Sequence, residues 1–217
     1  MTVNTEIIIL HTTKFGENSL VLHTLSRDYG RRSFLVRSVG KKHSMSLFLP
    51  LNILEADIVE NPISQLYTAK NISAKHPLSG IRNNLYKNSI SLFICEVLFR
   101  FLKEGACEPG MFGWCEQNIL LLYALESDFS NFHVRFLLGL AVVSGFSPSA
   151  EDISPFTGEK TALLAGFMKS SFEESMLIPM SGQTRSEIAE ALLRYIGHHG
   201  ESALNIRSLK VLHELFR

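Results

Sequence analysis

From Arg27 to Lys42 the chain sets Arg27, Arg31, Arg32, Arg37, Lys41 and Lys42 against one carboxylate, Asp28, and His43 follows directly. Cations at this density attract phosphates, and the interleaved Tyr29 and Phe34 offer flat faces, the pair of features that single-stranded nucleic acid requires. Phe34 alternates with its neighbours in a way that points to the core. A solvated strand and loop, charged for solubility, would carry the same residues.

Covalent chemistry finds less support. Gly40-Lys41 is followed by Lys42 and has Leu35 where a phosphate loop needs its first glycine, and in Gly158-Glu159-Lys160-Thr161 a carboxylate separates glycine from lysine. No G-x-S-x-G elbow or H-E-x-x-H pair occurs. His198 and His199 are adjacent, so on a helix they diverge by about 100° and suit a helix C-terminus before Gly200 better than one shared ion. Cys95, Cys107 and Cys115 lack metal or redox spacing and read as small buried hydrophobes. The expectation is a protein that is not an enzyme and that holds neither metal nor cofactor.

The elements that must position the basic stretch change character along the chain. The 217 residues are 46% hydrophobic and 19% charged, enough apolar matter for one domain or two modest ones. The N-terminus lacks a signal-peptide pattern and "FLLGLAVVSGF" is too short to span a bilayer, which implies a cytoplasmic location. Net formal charge is zero, yet residues 1–80 carry nine Lys and Arg against six Asp and Glu, and residues 81–217 carry twelve against fifteen.

Within the first part, "TEIIILHTT", "SLVLHTLS", "RRSFLVRSV", "NILEADIVE" and "SQLYTAKNI" read as five short strands separated by turns. Leu54, Ala56 and Ile58 alternate with Glu55 and Asp57, so one face is buried. Such a run suggests an OB-type (oligonucleotide/oligosaccharide-binding) barrel, with an SH3-like barrel fitting the strand count almost as well. From Leu78 onward the period becomes helical: "LYKNSISLFICEVLFRFLKEG" stops at Gly105, and "MFGWCEQNILLLYALES" follows. "DFSNFHVRFLLGLAVVSGF" is next, with Asp128 or Ser130 as its cap and Gly145 near its end. Thr184 to Glu187 has capping-box spacing before "IAEALLRYI", and "RSLKVLHELF" is a last helix. The fold class is α+β: a five-stranded OB-type barrel over 1–78 packed on an all-α helical domain over 79–217.

Together these residues resemble the RecO family of bacterial recombination mediators. The resemblance rests on the Phe15-Gly16-Glu17 turn, Ser19-Leu20, Thr24, Gly30-Arg31, and Gly40 leading into a basic loop. It continues in Arg135-Phe136 with Ser144, Gly145, Phe146 and Pro148 further on, and in the terminal "NIRSLKVLHEL". Many members carry a four-cysteine zinc module after the Gly-Tyr-x-Pro segment, whereas here "SAEDISPFTGEKTALLAGF" has no cysteine. The resemblance implies non-catalytic binding of single- and double-stranded DNA, annealing of complementary strands, and, with RecR, promotion of RecA loading on DNA covered by single-stranded-DNA-binding protein. It also implies a nucleoid-associated protein, with Arg27, Arg31, Arg32, Arg37, Lys41, Lys42 and His43 facing DNA. Arg135, with Arg207 and Lys210, would receive the acidic C-terminal tail of the single-stranded-DNA-binding protein. An RNA-binding or protein-binding adaptor is the alternative.

Overall fold

The computed structural model describes every residue except 38, 41–43, 62, 65 and 217. Strands β1 (Thr2–Lys14), β2 (Ser19–Ser26), β3 (Gly30–Arg37), β4 (Ile53–Val59) and β5 (Tyr67–Ala74) close into a barrel in the order β1-β2-β3-β5-β4. All pairings are antiparallel except β3 with β5, where Phe34 and Leu35 lie beside Tyr67 and Thr68. That parallel closure identifies the OB connectivity, which a strand count alone cannot separate from an SH3-like barrel.

Alternation fills the interior. Ile7, Ile9, Leu20, Leu22, Phe34, Val36, Leu54, Ala56, Ile58 and Ile72 form its core, and the expected inward face of β4 is among them. β1 pairs with β4 along Thr2 to Ile8 and with β2 along Ile7 to Lys14, and its register with β2 shifts between Ile9 and His11, the local bend by which a strand turns a barrel corner.

The helices are α1 (Ser79–Arg82), α2 (Leu85–Phe101), α3 (Met111–Ala124), α4 (Phe132–Val143), α5 (Ala150–Thr157), α6 (Thr161–Lys169), α7 (Phe172–Leu177), α8 (Gly182–His199) and α9 (Ser208–Leu215). None of the described helices is long and apolar enough to cross a membrane.

Two expected caps differ. Asp128 precedes a 3-10 turn in a left-handed conformation without a capping bond, and α4 starts after Asn131. The side chain of Asn131 is instead drawn inward, where its Nδ2 donates to the carbonyls of Ser175, Met176 and Ile178. In α8 the cap is Ser181, whose Oγ accepts from the Thr184 amide at 3.0 Å, so Thr184 sits inside the first turn. The cysteine-free interval after Pro148 folds as α5 and α6, with α5 opened by a Ser149–Asp152 capping box.

The chain divides into two compact units, one of residues 1–79 with 98–119 and the other of residues 80–97 with 120–217. A single cut after residue 78 therefore departs from the observed division. Residues 98–119 join the barrel unit because the start of β3 and its preceding turn bond directly to them. In the helical unit α8 packs on α4, α5 and α9. Tyr195 is buried there and donates to the Phe146 carbonyl at 3.1 Å.

Candidate nucleic-acid interface

Successive side chains of a strand point to opposite faces, so β3 cannot present all its arginines together. Phe34 and Val36 point into the core, which places Arg32 on the inward-facing set and Arg31, Ser33, Leu35 and Arg37 on the outer set.

Arg31 is outward but covered, with 4% of its surface exposed. Its Nη1 lies 2.8 Å from Glu104 Oε2, and its guanidinium stacks 4.8 Å from the Phe99 ring centroid. Burial lowers its proton affinity, partly offset by Glu104. The backbone is locked as well: the Arg31 amide donates to Ala106 O at 2.9 Å and the Gly105 amide to Arg31 O at 2.7 Å. Gly30 permits this approach, because its φ is +60° and an added Cβ would lie 2.1 Å from Ala106 O. The Gly30-Arg31 pair is thus the seat on which residues 104–107 dock.

The same cover extends across the outer surface of β1 and β2. Phe99 packs against His11 and His23, whose rings stack at 5.7 Å. His23 Nδ1 lies 2.9 Å from Ser33 Oγ and its Nε2 3.1 Å from Thr13 Oγ1. Burial, then Arg31 and His11, hold the His23 imidazolium below its ordinary range. Leu25 and Leu35, outward on β2 and β3, are also buried. The strand 2–3 surface through which OB barrels commonly meet ligands is therefore occupied by this chain's own residues.

Arg27 is engaged in a four-charge network. It pairs with Glu6 at 2.5 Å and Glu116 at 2.8 Å, while Lys75 pairs with the same two carboxylates at 2.5 and 2.7 Å. Its guanidinium also lies 4.4 Å from the Phe112 centroid. Burial alone would raise the Glu6 carboxyl, but hydrogen bonds from Lys75 and Arg27 outweigh it and hold it below the usual range. Two cations and two carboxylates cancel, so this end of the basic stretch offers no surplus charge.

Arg32, half-buried at the barrel mouth, stacks 4.1 Å over Tyr67. Tyr29 stands edge-on to Tyr67 and Phe34 and donates its hydroxyl to Glu60 at 2.9 Å. Burial, then that bond, push the Tyr29 phenol up to about 12.

Arg37 is different: it is exposed at the end of β3, in register with Ser19. The turn that joins β1 to β2 lies at the same end, with Lys14 and Phe15 exposed. Among the described residues no carboxylate pairs with Lys14 or Arg37. The Val39 amide donates to Asn18 O at 3.0 Å, tying this turn to the segment that leads from β3 into the basic loop. Lys41, Lys42 and His43 lie outside the described residues. Lys14 and Phe15 lie outside the basic stretch, although Phe15-Gly16 marks a turn that opens with an aromatic.

In the helical unit Arg135 is half-buried on α4, with Nη1 donating to the Phe167 carbonyl at 3.3 Å. Arg207 and Lys210 are exposed on or beside α9, whose first amides at Arg207 and Ser208 donate to the Glu96 carboxylate. Lys210 lines a cleft of about 600 Å³ between α8 and α9, floored by Leu193, Leu204, Ile206 and Leu209. Glu187, Glu190 and Glu214 share its walls with Arg194, Glu187 is paired with Lys160, and neither Arg135 nor Arg207 is among the lining residues. Among the described residues no group of His, Cys, Asp and Glu is placed to hold a metal ion, and the three cysteines are unbridged.

Comparison with known proteins agrees with this architecture. Residues 1–77 match the family described as Recombination protein O N terminal, and residues 82–154 that described as Recombination protein O C terminal. The DNA repair protein RecO of Phocaeicola vulgatus is 30% identical over 233 residues, covering 96% of this chain and 97% of the relative. Those of Azobacteroides pseudotrichonymphae and Flavobacterium johnsoniae are each 25% identical, with both chains covered in full.

Proposed function

The chain belongs to the RecO family of DNA repair proteins, and from that premise we propose that it is a non-catalytic mediator whose barrel binds DNA at one end. The observation that supports this placement most is the contrast in pairing. Arg27 and Arg31 spend their charge on Glu6, Glu116 and Glu104, whereas Lys14 and Arg37 stand exposed beside a loop that continues into Lys41 and Lys42. Phosphates take up unneutralised cations, so DNA belongs at that rim. Arg32, stacked on Tyr67, is at the border of the proposed site, and His43 is proposed as a further contact by its sequence alone.

Binding two strands on such a rim would bring complementary sequences together without covalent chemistry, which fits annealing. Loading of RecA with RecR, in the cytoplasm and on the nucleoid, is the role in repair and recombination that this reading assigns. The acidic tail of the single-stranded-DNA-binding protein is proposed to meet Arg135, with which no carboxylate pairs among the described residues; Arg207 and Lys210 are subsidiary. An Arg135→Glu variant should lose tail-peptide binding and keep DNA binding.

The test of the DNA reading is a titration of single strands, duplex and RNA at one salt concentration. DNA binding that weakens steeply with salt is expected, and a clear preference for RNA would favour the adaptor alternative.

A further inference from the structure

We propose that Phe15 is a base-stacking platform and gives the rim a preference for unpaired nucleotides; this deepens the DNA reading above and rests on it. Isolated exposed hydrophobic residues are ordinary on protein surfaces, so exposure alone says little. Phe15 is set apart by its surroundings. The other aromatics near the basic stretch are engaged: Phe34 is in the core, Tyr29 packs edge-on to Phe34 and Tyr67, Tyr67 lies under Arg32, and Phe99 and Phe112 lie under Arg31 and Arg27. Phe15 is 56% exposed, and among the described residues no ring or guanidinium stacks on it.

Its backbone is nonetheless held. The Phe15 amide donates to Ser19 O at 2.9 Å, closing a turn in which Gly16 takes φ +68°. With its backbone held at the base of the turn, Phe15 has only its side-chain rotamer left to order on binding. Phe15 bonds Ser19, whose other neighbour is Arg37, so Arg37 shares the outward direction of Phe15, while Lys14 belongs to the opposite set at the same barrel end and Glu17 is exposed in the turn; Arg37 is thus the cation placed on the side of a stacked base. Duplex DNA hides the faces of its bases, whereas a single strand offers them, and stacking accepts any base.

The experiment is a fluorescence anisotropy titration of the full chain with oligo-dT, an abasic strand of equal length and charge, and a duplex, at one salt concentration. Phe15→Ala should weaken oligo-dT binding about tenfold, as expected for one lost stacking contact, while leaving the abasic strand and duplex unchanged. Phe15→Leu, which keeps apolar bulk without a flat face, should show the same loss, and Phe15→Tyr should restore binding. Equal weakening on all three ligands, or no weakening on oligo-dT, would overturn the stacking role while leaving DNA binding by the rim in place. Failure of the unaltered chain to bind any of the three would defeat both readings.

Discussion

At the start of β3, Arg31 is held under residues 99–106 with its charge met by Glu104; at the end of the same strand, Arg37 is exposed and no described carboxylate pairs with it. The two arginines share an outward direction, so strand geometry does not distinguish them. What separates them is whether a distant part of the chain lies on top. A cluster of positive charge in sequence can therefore divide into a structural half and a ligand-facing half.

The strongest challenge to the structural half is Gly30→Val. With φ at +60° and Ala106 O in the way, the variant must strain the backbone and lift the docked segment. A loss of about 3 kcal/mol or more in chemical denaturation is expected. A loss below about 1 kcal/mol would show that the seat is dispensable.

A second buried basic group sharpens the comparison from the helical unit. Arg31 keeps its charge beside Glu104, but His133, 2% exposed and packed against Phe93 and Phe216, is driven neutral. Burial, then Arg185, push its pKa down to about 3. The folded value lies below the unfolded one, so its contribution is complete above pH 6.5 and is lost as pH falls toward the folded value. Between pH 6 and 4.5 the unaltered chain should lose about 1.4 kcal/mol per pH unit more than His133→Phe, measured by denaturant titrations at each pH. Parallel curves would mean that the buried imidazole is protonated or rehydrated at little cost.

Smaller still is Arg31→Ala. Removing the guanidinium forfeits its packing on Phe99, but Glu104 is 53% exposed and returns easily to water. A destabilisation of about 2 kcal/mol is expected, with the affinity for single strands unchanged once folding is accounted for. Reduced DNA affinity in a folded Arg31→Ala protein would move the interface onto the outer strand surface.

Local rules reached most of the barrel, because period-2 alternation such as Leu54, Ala56 and Ile58 reports directly on a buried face. They missed the caps of α4 and α8 for a tertiary reason in one case, where Asn131 serves the carbonyls of 175–178, and through a competing nearby serine in the other. The candidate site was legible in composition but not in assignment. Adjacent Arg31 and Arg32 had to point apart, a deduction available from the strand period alone. The cover over Arg31 was not available, since Phe99 and Glu104 lie some seventy residues away and carry no local mark of their docking.

The division of the basic stretch is tested most directly by the salt dependence of oligo-dT binding, compared between an Arg27→Ala/Arg31→Ala protein and a Lys14→Ala/Arg37→Ala protein. Four phosphate contacts, if made by the proposed set of Lys14, Arg37, Lys41 and Lys42, would give a slope of log K against log salt near −3, from roughly −0.7 per contact. The first variant should be less stable yet keep that slope while folded. The second should keep its stability within about 0.5 kcal/mol and flatten the slope to about −1.4. A flattened slope in the first variant with an unchanged slope in the second would contradict the assignment of DNA to the rim.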